Sequence, residues 1–179
     1  MLNRLLKAYY RVLKKPVPYY ARYPLWLICW KPIRKFINVA LIPNIPFNCL
    51  RVWLYRLIGF RIGRNVFIGM KCYLDDIEPG KTVIEDNVVI SYGCFFAAHG
   101  RGQVHTSILL MEGAYLGMRV NIISGKAGVS IGRHSIIGAA ALVTQSIPDD
   151  CTAVGVPARV VKSVRSESQD DSVEQFLDN

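Results

Sequence analysis

Carboxylates are missing from the first 74 residues of this 179-residue chain. Met1 to Leu74 holds 14 Lys and Arg and no Asp or Glu, whereas Asp75 to Asn179 holds 8 basic and 13 acidic residues, so the net charge of +9 is a +14 segment followed by a −5 one. Long apolar runs are missing too. The most apolar stretch, Tyr23 to Trp30, is eight residues long and is followed by Lys31, Arg34 and Lys35, which is too short to span a bilayer. The N-terminal LNRLLKAYYRVLKK scatters charge through its apolar positions and lacks the pattern of a cleavable signal peptide. No CxxC pair occurs among Cys29, Cys49, Cys72, Cys94 and Cys151. An odd, unpaired set reads as reduced core or corner residues and so as a cytoplasmic protein. The basic excess is interleaved with apolar residues and carries no nucleic-acid motif, so no nucleic acid is expected as partner.

What the chain does have is a six-residue period: IGRNVF, IGMKCY, IEDNVV, ISYGCF, LMEGAY, LGMRVN, IGRHSI and IGAAAL. Positions six apart fall on nearly opposite faces of an α-helix, so the period excludes one. It fits a solenoid of short strands and corners. Ile62, Ile68, Ile84, Ile90, Leu116, Ile122, Ile131 and Ile137 then point inward in ladders about 4.8 Å per coil. The fifth places, Val66, Cys72, Val88, Cys94, Ala114, Val120, Ser135 and Ala141, form a second set of small residues suited to tight corners. Glycine in the second place suits either a positive φ or a close backbone approach.

This pattern resembles the hexapeptide-repeat family, whose fold is a left-handed parallel β-helix, a triangular prism with one hexapeptide on each face. The resemblance implies an all-β solenoid over residues 61–162, preceded by a basic, apolar, helical segment at 1–60 and followed by an acidic polar tail at 163–179. Within the first segment, Leu2, Leu5, Leu6, Tyr9 and Leu13 can share a helical face opposite Arg4, Lys7, Arg11 and Lys15. A second helix is expected from Asn48 to Ile58, with Asn48 as its cap and Gly59 as its end. Its apolar stripe of Leu50, Trp53, Leu54, Leu57 and Ile58 would pack on the mouth of the solenoid and turn Arg51 and Arg56 away. Peripheral contact of residues 1–58 with an anionic membrane is the alternative.

The period breaks at Asp75–Val83, His99–Leu109 and Gly125–Ser130, where loops can project reactive groups. At the second break the strand FFAA runs into His99 and the loop HGRGQVHTS. That arrangement resembles the sugar and xenobiotic O-acetyltransferase branch of the family and implies that His99 is the general base. His105 reads as a solvated loop residue and His134, in the fourth place of IGRHSI, as structural. A zinc site of the γ-carbonic-anhydrase type does not match the order of the three histidines, and no metal is expected.

From Ser135 the segment SIIGAAALVTQSIPDDCTAVGVPARVVK resembles the closing element of hexapeptide acetyltransferases. It implies acetyl-CoA as donor, with Gly138 and Ala139 against the pantetheine, Thr144 as a polar contact, and Arg159 and Lys162 at the phosphates. The stretch GAYLGMRVN implies Tyr115 as an aromatic platform and the Met118 backbone N–H as an oxyanion donor. The stretch CYLDD resembles one in galactoside and maltose acetyltransferases, where one of two aspartates contacts the sugar; Asp75 and Asp76 take that place here, and a plain Asp-rich corner is the alternative. The resemblance implies a homotrimer with sites between prisms. The expected activity is O-acetylation of a saccharide, lipid-linked in surface-polysaccharide assembly, with a small-molecule acceptor or a non-catalytic binding scaffold as alternatives.

Overall fold

A computed structural model describes residues 9–13, 25–99 and 106–163. The chain divides into two compact units, 1–37 and 38–179. The first contains helix α1, Leu25–Phe36, with Pro32 inside it and Arg34 and Lys35 in its last turn. Most of the expected N-terminal amphipathic face lies outside the described residues. Residues 38–60 cluster with the second unit, and the strands of the solenoid begin at Arg61.

That solenoid is a left-handed parallel β-helix. The first face stacks β1 (Arg61–Ile62), β3 (Thr82–Ile84), β6 (Ile108–Leu110) and β9 (Val129–Ile131). The second stacks β2 (Phe67–Ile68), β4 (Val89–Ile90), β7 (Tyr115–Leu116), β10 (Ile136–Ile137) and β12 (Cys151–Val154), and closes with β13 (Arg159–Ser163), which is antiparallel. The third stacks β5 (Phe95–Ala97), β8 (Asn121–Ile123) and β11 (Leu142–Val143). Seven of the eight expected inward residues are buried, Ile62 on the first coil being partly exposed, and all eight fifth-place residues are buried.

The corners resolve the two roles offered for glycine. Positive φ belongs to the fourth place of each hexapeptide: Asn65, Lys71, Asn87, Gly93, Gly113, Arg119, His134 and Ala140 all have φ between 52° and 71°. The second-place glycines instead permit close approach. A Cβ on Gly117 would lie 2.6 Å from the Ala139 nitrogen, and one on Gly132 would lie 2.3 Å from the Asp149 nitrogen. His134 is thus a corner residue, and its ring covers Gly113, where a Cβ would meet Nδ1.

Helix α2, Asn48–Leu57, ends at Gly59 with φ +109° as expected, but the face it buries only partly matches the expected one: Arg56 is exposed and Ile58 buried as expected, whereas Arg51 is buried and most of the apolar stripe is not. Arg51, Val52, Tyr55 and Ile58 are buried, while Leu50, Trp53 and Leu57 are exposed. The reason is the open edge of the first coil, whose carbonyls have no coil beneath them. Arg51 donates from Nε and Nη2 to the Ile68 carbonyl at 2.9 and 2.6 Å, and from Nη1 to Ile45. Tyr55 donates to Cys72 O at 3.3 Å, Asn38 to Leu74 O at 2.7 Å, and Arg56 to Ile62 O at 3.1 Å and to Gly63 O. Burial pushes the Tyr55 phenol up, so it remains a neutral donor. Asn48 does not cap its own helix. It donates to Val66 O at 3.0 Å and accepts from Ile68 N at 2.9 Å, filling the place of an absent strand. An unpaired buried carbonyl costs more than a Leu gains by partial burial, so the donors take the inner face.

Arg51→Met, which keeps much of the volume but removes every donor, is expected to lower stability by roughly 2–4 kcal/mol. Chemical denaturation followed by circular dichroism measures it. A loss under about 0.5 kcal/mol would show that these carbonyls find other partners.

Candidate functional site

All three breaks in the period fall at the same corner of the prism. The third-face strands open inward on Leu74, Phe96, Ile122 and Val143, all buried, and each is followed by an irregular segment leading back to the first face. The segments after Leu74 and Phe96 therefore lie on adjacent coils, where Tyr73 bridges Phe95 in parallel register. Their rings stack with centroids 4.8 Å apart.

This stacking brings Asp75 to His99. Asp75 Oδ2 accepts from the Ala98 N–H at 2.8 Å and contacts His99 Nδ1, while Oδ1 accepts from the Ile77 N–H at 3.1 Å. The Asp75 side chain is 2% exposed and that of His99 41%. A buried carboxylate on Nδ1 selects the tautomer with its proton there and leaves Nε2 as the acceptor on the exposed side. A histidine so oriented can take a proton from a bound hydroxyl. Asp76 is also buried and accepts from the Tyr73 hydroxyl at 3.3 Å. Burial, then the charges of Asp76 and Asp75, push the Tyr73 phenol up, so it remains a donor.

Both aspartates offered above as acceptor contacts are engaged by the chain itself, Asp75 with Ala98, Ile77 and His99 and Asp76 with Tyr73. Sequence reasoning missed the pairing of Asp75 with His99. The signal was present: aligning Leu74 with Phe96 as first-place residues puts Asp75 one coil below Ala97. The base of the following loop is tied down by Thr106, whose N–H and Oγ1 donate to Ala98 O at 2.8 and 3.1 Å and whose Oγ1 also reaches Ser124 Oγ at 2.8 Å. His105 lies outside the described residues.

The expected donor residues are spread over other parts of the prism, except Thr144, which lies at the corner after the third face. Tyr115 stands in register between Val89 and Ile136 on the second face, exposed, with its hydroxyl 3.4 Å from Ser91 Oγ. Met118 and Ala139 lie on successive coils at the corner between the second and third faces, where Ala140 N–H donates to Met118 O at 2.8 Å. Gly138 N–H donates to Ala153 O at 2.9 Å, and a Cβ there would meet Val154 Cγ1 at 2.7 Å. Thr144 follows Val143, while Arg159 and Lys162 are exposed on β13. His99 stands two residues past Ala97, which pairs with Ile123. From Met118 to that level is about seven residues of chain, a turn and then β8. One chain thus holds His99 and Met118 at opposite edges of its third face.

No protein-family model matches the chain. Over 131 residues it is 28% identical to galactoside O-acetyltransferase of Escherichia coli, an alignment covering 65% of this chain and 63% of that enzyme. A hexapeptide-repeat-containing acetyltransferase of Vibrio cholerae, solved with acetyl-coenzyme A, superposes with a TM-score of 0.64 at 22% identity over 78% of this chain and 90% of that one. The chain is similar in sequence to acetyltransferases and shares its fold with hexapeptide-repeat acetyltransferases. It spans just under two thirds of the Escherichia coli enzyme's length. A maltose O-acetyltransferase from Clostridium difficile has the same fold, with a TM-score of 0.60 at 23% identity over 79% of this chain and 89% of that one.

For an acetyltransferase of this fold the Asp75–His99 contact makes a specific demand. Asp75→Asn removes the carboxylate charge and allows the other ring tautomer, so kcat is expected to fall by roughly 10- to 100-fold with the KM for acetyl-CoA little changed. Steady-state kinetics of thiol release measure both. An equal rise in KM with kcat intact would make Asp75 a binding residue instead.

Proposed function

We propose that this protein transfers an acetyl group from acetyl-CoA to a hydroxyl of a saccharide, with His99 as general base. The observation that carries the reading is the buried Asp75 carboxylate on Nδ1 of a His99 whose side chain is 41% exposed. In this reading Nε2 takes the proton of the acceptor hydroxyl as its oxygen attacks the thioester carbonyl. The tetrahedral intermediate then collapses, the C–S bond breaks, and the coenzyme A thiolate recovers that proton from Nε2. Such base catalysis is worth about 10²- to 10⁴-fold.

The donor would run along the corner of Gly138 and Ala139, where absent or small side chains leave the backbone approachable. Thr144 supplies a polar contact, and Arg159 and Lys162 meet the phosphates. Tyr115 forms the platform near the thioester, and the Met118 N–H faces the developing oxyanion. One chain sets His99 and Met118 at opposite edges of its third face, so the two meet at one thioester most directly when they come from different chains. That separation supports a homotrimer whose sites lie between prisms, His99 from one chain and Met118 from the next. The exposed Tyr115 and Ile136 of the second face support association there.

On the acceptor side, a saccharide held on a lipid carrier, as in surface-polysaccharide assembly, fits the carboxylate-free first 74 residues, which favour an anionic membrane surface. Enzyme at the inner face of that membrane would meet its acceptor there. No described helix is long and apolar enough to cross it.

His99→Ala is expected to lower acetyl transfer to a saccharide acceptor by at least about 100-fold while leaving the assembly folded. Unchanged turnover would remove His99 from the catalytic role and favour the scaffold alternative. Light scattering is expected to give three times the chain mass at micromolar concentration, and an active monomer would overturn the shared site.

A further inference from the structure

The capping solution at the open end of the solenoid leaves a consequence on its outer surface. Since α2 turns Arg51, Val52, Tyr55 and Ile58 inward, three of its apolar residues face out: Leu50 is 41% exposed, Trp53 55% and Leu57 66%. These positions are spaced i, i+3 and i+7, so they lie along one side of a helix ten residues long. Phe47, immediately before the helix, is exposed as well. No fold requirement places three large apolar side chains in water.

Charge decides what can cover them. On the surface, residues 38–74 carry Arg56, Arg61, Arg64 and Lys71 and no carboxylate, with Arg64 paired to Asp86 and Arg51 buried. A second copy of the same face would set cation against cation, and so would residues 1–37, with nine Lys and Arg and no acid. An anionic lipid surface instead offers hydrocarbon to the stripe and headgroup charge to its surroundings. Trp53 at the middle of the stripe is the side chain best suited to the boundary between the two. Helix α1, taken by itself, repeats the chemistry: Ile33 and Phe36 are exposed on a helix whose last turn carries Arg34 and Lys35.

We infer that the exposed side of α2, built on Leu50, Trp53 and Leu57, is a membrane-docking surface that seats this end of the solenoid on anionic lipid. The inference deepens the proposed peripheral contact and rests on that reading. The capping end, rather than the irregular corner with His99, is then the end held at the bilayer. The helix lies in the interface plane.

The test uses the full chain and co-sedimentation with vesicles of phosphatidylcholine alone or mixed with phosphatidylglycerol. Binding is expected only to the mixed vesicles and to weaken as salt rises. The triple variant Leu50→Ser, Trp53→Ser, Leu57→Ser is expected to lose binding by about tenfold or more. Trp53→Ser alone serves if the triple variant does not fold. In a Trp26→Phe, Trp30→Phe background, Trp53 emission is expected to shift to the blue when mixed vesicles are added. Absence of binding, or binding unaltered by the α2 variants, would overturn the inference. So would Trp53 emission already blue without vesicles and unmoved by them, which would mean that the acidic tail or a second copy covers the stripe. Acetylation of a water-soluble saccharide, measured in parallel, separates the two readings: a protein that binds vesicles without turnover strikes the activity, and one that turns over without binding strikes the docking surface.

Discussion

Parallel stacking satisfies each coil by the coil below it, and the first coil has none. Everything at the N-terminal end of the second unit follows from that deficit. Six carbonyls of the first coil, Ile62, Gly63, Val66, Ile68, Cys72 and Leu74, receive donors from side chains of residues 38–56. Hydrophobic burial alone cannot do this, because a Leu offers no proton to a carbonyl. The capping segment therefore turns Asn38, Arg51 and Tyr55 inward beside Ile42, Val52 and Ile58 and leaves Leu50, Trp53 and Leu57 outside, which departs from the usual amphipathic arrangement. The same donors keep the edge strand β2 from offering its backbone to a strand of another molecule.

Much of the prism was legible beforehand, because a six-residue period constrains every residue in it. The inward ladder and the small fifth places are direct images of that geometry. The left-handed corner was not legible at the fourth place, since its occupants Asn65, Lys71, Arg119, His134 and Ala140 share no chemistry; what they share is a backbone shape. Only Asn and Gly at that place hint at it. The orientation of α2 was misjudged in part, for a related reason. Hydrophobic periodicity reports which residues avoid water but not which polar groups a neighbouring surface must satisfy.

The site divides in the same way. His99 stood out because it ends a strand where the period fails. Asp75 was visible as a residue but not as its partner, because sequence separates the two by a coil and an insertion while the structure stacks them. Residues read from resemblance alone, such as Thr144, Arg159 and Lys162, are placed on the surface by the fold, and their roles rest on the family likeness. The Asp75–His99 contact needs no such likeness, since a buried carboxylate against an imidazole nitrogen has the same chemical meaning on any scaffold.

All the irregular segments leave the prism at one corner, the one after the third face. The other two corners are closed turns whose length is set by the hexapeptide count, and an added residue there would shift every inward side chain beyond it. At the open corner, extra residues leave the stack before the next strand begins and disturb nothing that follows. The molecule thus separates a part that cannot change length from a part that can. Loops of new length can be exchanged along that single edge, around an unaltered Asp75–His99 pair, without rebuilding the fold that holds it.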